Sequence, residues 1–383
     1  MSERMFGVET EYATSVYDDR GRCHGPGHGL TAMVESLRRL APCLPGRFSN
    51  GLFLQTGGRF YIDSGAHPEL TTPEVVNPWD ICRYILAGDR LLAEVANDMV
   101  RRYAGIGRVL ITRCNLSYHD LWPGSTWGCH ENYAHRADPQ PLAEQLIPHL
   151  VSRIIYTGAG GFDNRTPGAT FLISPRAAHI TRETSEASTH QRGLVHLKDE
   201  SLAGGGYRRL HLVCGESLCS QTGMWLKSAI TALVVAMIEA GLRPCQQIRL
   251  VAPLAALADF NRDPSGTAQA DIVGRRRMTA LAMQRHILEQ LEAHADHPIM
   301  PPWADTARRR LAETLDRLAQ GPAAVARSLD WAIKLALYRQ YAARAGFAWE
   351  TLQHWSEVLT RLGLTLRERT PPEAPAPLLG PRL

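Results

Sequence analysis

Long apolar runs are missing from this chain of 383 residues. The longest, Ala229 to Ile238, falls well short of the roughly 20 residues that a bilayer-spanning helix needs, so no membrane role is expected. Charge of one sign is missing too. The 42 basic and 38 acidic residues leave a net charge of +4. No Lys/Arg block or RNA-binding aromatic signature accompanies that balance, which argues against nucleic acid as a partner. The basic residues are nearly all arginine. Cysteine pairing is missing: eight cysteines are scattered without CxxC spacing, and Cys214 and Cys219, the closest pair, have no second pair to complete a zinc pattern. Met1-Ser2-Glu3-Arg4 leads straight into a strand-like run with no secretory leader. Together these absences predict a reduced, cytoplasmic protein whose cysteines are mostly buried and inert. With 44% hydrophobic and 21% charged residues, the chain can bury a large core. Its length allows two or three domains, or one large domain with a small appendage. No internal repeat is present.

What is there centres on Arg59-Phe60-Tyr61-Ile62-Asp63-Ser64-Gly65-Ala66-His67-Pro68-Glu69. On a strand, alternate side chains face opposite sides, so Tyr61 and Asp63 share one face and Phe60 and Ile62 the other. The apolar pair can pack on a core while the phenol and carboxylate look into a cleft. Gly65 and Pro68 then break the strand and return a second carboxylate, Glu69. Two carboxylates on a strand and its exit turn suit divalent metal binding and proton removal; an edge strand with a solvated Asp and a turn fits the same residues. Glu9 and Glu11, two apart in Met5–Ala13, also share a face, where like charges repel unless a cation lies between them. Thr126-Trp127-Gly128-Cys129-His130-Glu131-Asn132-Tyr133 reads as a ligand-lining strand or as a hydrogen-bonded surface strand. In Tyr207–Val213, alternation puts Arg209 and His211 on one face and Arg208 on the other.

Around these patches the spacing predicts a short helix capped by Thr31, a hairpin turning at Thr56-Gly57-Gly58, and a long amphipathic helix from Pro78 to near Gly105. Further helices are expected at Leu142–Ile155 and Met224–Ala240. From about Asp271 the chain reads as helical: Ile272–Ala293, Ala304–Leu318 and Ala323–Ala345. Gly158-Ala159-Gly160-Gly161 has neither P-loop nor dinucleotide-fold spacing and is rejected as a phosphate loop. Past Ala345 come a short helix around Trp355 to Leu362 and a Pro-rich tail, Thr370–Leu383.

The ordered set of motifs resembles one family. Gly7-Val8-Glu9-Thr10-Glu11-Tyr12, Arg59 to Glu69, Gly128 to Tyr133, Ser174-Pro175-Arg176 and Tyr207 to His211 are similar to motifs of the Pup ligase and Pup deamidase/depupylase family, related to glutamine synthetases and other carboxylate–amine ligases. The resemblance covers about residues 5–345. It implies an α+β fold: a curved, glutamine synthetase-like antiparallel sheet that cradles ATP and Mg2+, backed by helices, with a helical part from about residue 271. The catalytic domain is then residues 1–345, and 346–383 stand in place of a reduced or missing C-terminal Pup-binding domain. The resemblance further implies that Glu9, Tyr61, Glu69, His130 and His211 hold magnesium or nucleotide phosphate, helped by Glu11 and Asn132. Arg176 and Arg208 match arginines suited to the γ-phosphate; because alternation turns Arg208 away from His211, either a bulge redirects it or Arg209 does that work. Asp63 matches the catalytic aspartate, which takes the proton of an amine attacking an acyl phosphate. Lys198 stands where the family carries arginine, in Lys198-Asp199-Glu200-Ser201-Leu202-Ala203. The Asp63-to-Glu69 spacing and the short Tyr12-to-Leu52 segment resemble the ligase branch.

The expected activity is therefore an ATP- and Mg-dependent ligase joining a carboxylate donor to an amine acceptor, with a small molecule or short peptide as substrate. Two alternatives are a Pup–protein ligase and a depupylase-like amidase. A catalytically idle binding module is disfavoured by the intact Glu9, Asp63, Glu69 and His211.

Overall fold

A computed structural model describes residues 4–25, 27–45, 51–63, 65–118, 125–187, 191–197, 205–354 and 356–357. Its organising element is a nine-stranded sheet in the spatial order Arg182–Ser185, Gly193–His196, Arg208–Leu212, Cys129–His135, Phe6–Glu11, Pro68–Thr71, Arg59–Ile62, Leu52–Leu54, Cys43–Pro45. Every neighbouring pair is antiparallel except Arg182–Ser185 with Gly193–His196, which run parallel. The sheet is therefore mixed at one edge rather than wholly antiparallel.

Alternation along these strands sorts the side chains as expected. Phe6, Val8, Cys129, Tyr133, Leu210 and Leu212 face a large core formed with helices Pro139–Ser152, Gln221–Glu239, Ala280–Ala293 and Ala304–Leu318. Leu52, Phe60 and Leu70 continue the same face into a second cluster, with Met33, Leu37, Leu92, Val95 and Met99 from helices Leu30–Leu40 and Pro78–Arg102. One face of the sheet is thus apolar and helix-covered. Polar side chains gather on the other.

Gln221–Glu239 is long and apolar enough to cross a membrane, but Gly223 to Ile238 are buried throughout inside the protein. It is a core helix. Ser220 caps it, accepting a hydrogen bond from Gly223 N–H. The long helix predicted from Pro78 ends at Arg102, and Asn77 caps it through the backbone N–H of Trp79. The hairpin at Thr56-Gly57-Gly58 forms, with Gly57 at φ 88°.

Several expectations need correction. Thr31 does not cap its helix; the chain enters Leu30–Leu40 through Gly29 in a left-handed conformation, with no side-chain cap. The helix expected from Leu142 starts earlier, at Pro139, and breaks at Arg153. Residues 272–279 are not helical. Gln269–Ile272 and Arg276–Thr279 form a hairpin whose turn has Gly274 and Arg275 at positive φ, and Thr279 caps the helix that starts at Ala280. The apolar period there could not reveal a two-strand detour this short. The last helix likewise splits into Pro322–Val325 and Asp330–Ala345.

The cysteines are all free, but only Cys82, Cys129 and Cys245 are buried, so the expectation of mostly buried thiols fails. The 158–161 glycines serve packing: a Cβ at Gly158 would sit 2.3 Å from the Ile173 carbonyl oxygen. The chain past Ala345 still joins the body, because Trp349 packs its ring among Phe162, Phe171 and Tyr338. Most of the helix expected at Trp355–Leu362, and the whole Pro-rich tail, lie outside the described residues.

Candidate functional site

Strand register builds the site. Glu9 pairs with His130 on one side and Thr71 on the other. Glu11 pairs with Glu69, and Glu69 with Tyr61. His211 pairs with Asn132, and Asn132 with Gly7. Directly opposed residues share a face, so Glu9, Glu11, Glu69, Tyr61, Asn132, His130 and His211 come from five adjacent strands onto one surface. The hydrogen-bonding geometry of the sheet, rather than flexible loops, sets their spacing.

Three groups of side chains have ligating atoms all within 4.8 Å of one another: Glu9 with His130 and His211; Glu11 with Glu69 and His130; Glu11 with Asp63 and His67. His130 Nδ1 lies 3.4 Å from Glu9 and its Nε2 3.5 Å from Glu11. The Gly128 N–H donates to Glu11 at 2.8 Å. A Cβ at Gly128 would come within 2.5 Å of His130 Nε2 and 2.8 Å of Arg176 Nη2, so glycine is what lets both reach this point.

The electrostatics are those of a site where charges of both signs are packed closely. Burial works to raise the carboxyl of Glu9, but the His130 contact and the charges of His130 and Arg209 outweigh it and hold Glu9 at about 2. Glu11 is also held at about 2: burial opposes this, while His67, His130 and Arg176 win. Glu69 goes the other way. Burial and the repulsion of Glu9 and Glu11 overcome the His130 charge and push it up to about 8. Burial and the neighbouring His130 charge press His211 down to about 3, leaving it neutral. His130 itself is raised, because Glu9, Glu11 and Glu69 overcome its burial. A third carboxylate that ionises only with difficulty beside two others is a place where added positive charge is favourable. Glu69 Oε1 and both ring nitrogens of His211 are buried without a hydrogen-bond partner. Carboxylate oxygens and neutral imidazole left unused in this way fit a divalent cation.

Asp63 closes the Arg59–Ile62 strand, and its carboxylate sits beside this cluster. Its Oδ1 accepts the His67 backbone N–H at 2.7 Å, and its Oδ2 lies 3.4 Å from His67 Nδ1. Tyr61 is brought to the cluster as expected. Burial, Glu9 and Glu69 hold its phenol protonated, so what it offers is an O–H donor rather than an anionic metal ligand.

The arginines divide. Arg209 donates through Nε to Asn132 Oδ1 at 2.7 Å and through Nη2 to Glu9 Oε1 at 2.9 Å, placing its guanidinium at the cluster. Arg208 is on the opposite face, paired with His135 and exposed. Strict alternation holds at this strand with no bulge, which corrects the placement of Arg208 at the γ-phosphate. Arg176 is buried, bonded to Thr126 and to the Val213 carbonyl, with its Nε left without a partner. Lys198 lies outside the described residues.

Two neighbours went unassigned on sequence. His67 contacts both Asp63 and Glu11, and Trp127 packs on its ring with centroids 5.1 Å apart. The available signal was a histidine four residues after Asp63, inside the same exit turn.

Comparison with known proteins places this geometry. The family model described as Pup-ligase protein matches residues 4–364. The Pup–protein ligase of Actinosynnema mirum is 32% identical over 360 residues, covering 90% of this chain and 75% of the relative. That of Xylanimonas cellulosilytica is 33% identical over 359 residues, covering 90% and 76%. The chain thus spans about three quarters of the length of these relatives. Among solved structures, the complex between the prokaryotic ubiquitin-like protein Pup and its ligase PafA shares the fold at a TM-score of 0.77 and 24% identity, covering 94% of this chain and 72% of that one. The Pup ligase PafA in complex with ADP matches at a TM-score of 0.69 and 25% identity, covering 82% and 69%. The chain therefore belongs to the Pup-ligase family and is an ATP-dependent enzyme that joins a carboxylate to an amine.

Proposed function

We propose that this enzyme joins the carboxylate of a Pup-like protein to the amine of a protein side chain through an acyl phosphate. The observation that carries the reading is the placement of Asp63 beside the Glu9/Glu11/Glu69/His130/His211 cluster on one rigid sheet face. A carboxylate does not react with an amine until it carries a leaving group. Transfer of the ATP γ-phosphoryl to the donor carboxylate gives ADP and an acyl phosphate. The amine nitrogen then bonds to the acyl carbon, the C–O bond to phosphate breaks, and the amine's proton goes to Asp63 Oδ2.

Glu9, Glu11 and Glu69, with His130 and His211, would hold magnesium, which supplies positive charge toward phosphate oxygens. Arg209, bonded to Glu9, and Arg176, against Gly128, would pair with phosphate. The donor assignment rests on the relatives, which are named Pup–protein ligases.

The test is stoichiometric. With Pup, a lysine-bearing protein, ATP and magnesium, one ADP and one phosphate should appear per isopeptide bond, and an 18O label in the donor carboxylate should pass into the phosphate. Product without label in phosphate would replace the acyl phosphate with another activation. Cleavage of a Pup conjugate with no net ATP use would favour the amidase, and turnover of a short peptide or small carboxylate in preference to Pup would move the donor assignment there.

The metal assignment has its own check. Glu9→Gln removes an ionised hard-cation ligand and keeps its shape, so magnesium-dependent ATP affinity should weaken roughly tenfold or more, ~1.4 kcal/mol. The readout is the rise in melting temperature on adding Mg-ATP, which a native-state ligand must produce. An unchanged rise in the variant would take Glu9 out of the metal set.

A further inference from the structure

The turn after the Asp63 strand is tied more tightly than a connection of its length requires. The Asp63 N–H donates to the His67 carbonyl, the Ala66 N–H to the Asp63 carbonyl, and the His67 N–H to Asp63 Oδ1. Ala66 is held at φ 61°, a conformation an alanine adopts at a cost. The result folds the His67 ring back over the turn. A Cβ at Gly65 would lie 3.1 Å from His67 Cε1 and 3.3 Å from Asp63 Oδ1, so the missing side chain there makes room for the ring. Trp127 packs on the ring.

In this pose one imidazole nitrogen, Nδ1, stands 3.4 Å from Asp63 Oδ2 and 3.4 Å from Glu11 Oε2. Glu11 is in turn fixed by the Gly128 N–H, next in the chain to Trp127. Asp63 Oδ1 is committed to the turn, so Oδ2 is the oxygen left to receive a proton. The nitrogen nearest to it, His67 Nδ1, also faces Glu11.

We infer that His67 is a positioning residue for amine attack: its buried Nδ1, within 3.4 Å of both Asp63 Oδ2 and Glu11 Oε2 but hydrogen-bonded to neither here, holds the proton-accepting oxygen of Asp63 near the phosphate-binding cluster by charge. The inference rests on the ligase reading above. It assigns His67 to the second half-reaction. Formation of the acyl phosphate needs the cluster and ATP but not a base, whereas attack by a lysine amine needs both.

Two amide substitutions separate the nitrogens of the ring. Asparagine can place an N–H near the position of Nδ1, whereas glutamine reaches the position of Nε2. With the full chain, Pup, ATP and magnesium, two acceptors are compared. A lysine-bearing protein requires proton removal; hydroxylamine is already neutral near pH 7 and traps the acyl phosphate as a hydroxamate without a base. His67→Gln should lower isopeptide formation by roughly 10–100-fold, the range seen when a group orienting a functional side chain is lost. Hydroxamate formation and the KM for ATP should stay near those of the unsubstituted enzyme, and His67→Asn should recover much of the lost rate.

Equal loss in both variants, with hydroxamate falling in parallel and a lowered melting temperature, would make His67 a structural residue only and overturn the inference. Full isopeptide formation by His67→Gln would overturn it too. An unsubstituted enzyme that makes neither product from Pup would overturn the ligase reading, and this inference with it.

Discussion

Asp63→Asn is expected to abolish amide formation while leaving nucleotide binding in place. The substitution is nearly isosteric, and an asparagine Oδ1 can still accept the His67 N–H that Asp63 Oδ1 accepts at 2.7 Å. The turn should therefore close as before, and Phe60, wholly buried on the core face, keeps the strand in register. The cluster carboxylates lie on neighbouring strands and depend on sheet pairing, not on Asp63. What is lost is the lone pair at Oδ2: an amide nitrogen takes its place and cannot accept a proton. The amine then attacks only in its rare neutral fraction. General-base catalysis is worth about 10²–10⁴-fold, so turnover with a lysine amine should fall by that order, with little change in ATP affinity. Slow ATP hydrolysis without product should persist, because the acyl phosphate can still form and meet water. If Asp63 served only the turn, the variant would melt lower and turn over normally. A destabilised but fully active Asp63→Asn would remove the base from this position.

Much of this site was legible because a strand has a period of two. Glu9 with Glu11, Tyr61 apart from Phe60, and Arg209 with His211 are face assignments that alternation alone makes, and the sheet keeps them. Where family likeness and alternation disagreed, at Arg208, the strand kept its period and Arg209 came to Glu9. The cross-strand partners were not legible. Nothing in the local pattern says that Glu9 opposes His130 or that Glu11 opposes Glu69, since register is a property of pairs of distant segments. The pushed-up carboxyl of Glu69 depends on that register and so was invisible too. His67 was missed for a different reason: its contacts arise from a turn with Ala66 in a left-handed conformation, which alanine does not announce. The hairpin at Gln269–Thr279 escaped because its strands are four residues each, too short to shift an apolar period already read as helix.

Beneath the sheet, breaking a buried ion pair on one side is expected to cost much of the stability that keeps the site in register. Glu131 lies between His130 and Asn132 in sequence but points to the core, where it is fully buried. Its pairing rules it out as a second base. Arg153 holds it in bidentate fashion, at 2.5 and 2.9 Å, and also donates to Thr231 Oγ1 at 2.6 Å; the Tyr133 hydroxyl adds a bond of 2.8 Å. Burial opposes ionisation of both partners, but each charge holds the other: Glu131 is lowered and Arg153 raised from their ordinary values. Arg153→Met keeps an unbranched stem and removes the charge, leaving the carboxylate in the core with the Tyr133 phenol and the Lys227 charge as its remaining neighbours. Breaking a buried pair on one side costs about 3–5 kcal/mol, a large share of the roughly 5–15 kcal/mol that holds a domain folded. The variant's urea unfolding midpoint should drop accordingly. Combining Glu131→Leu with Arg153→Met removes both charges, and it should recover most of that loss, since apolar replacement of a whole pair is often neutral or better. Urea denaturation of the single and double variants decides the matter. A single variant within about 1 kcal/mol of the unsubstituted protein would mean that Glu131 takes up a proton or finds another partner at little cost. A double variant no better than the single one would mean that the pair's worth lies in the Thr231 and Tyr133 bonds rather than in the compensation of charge.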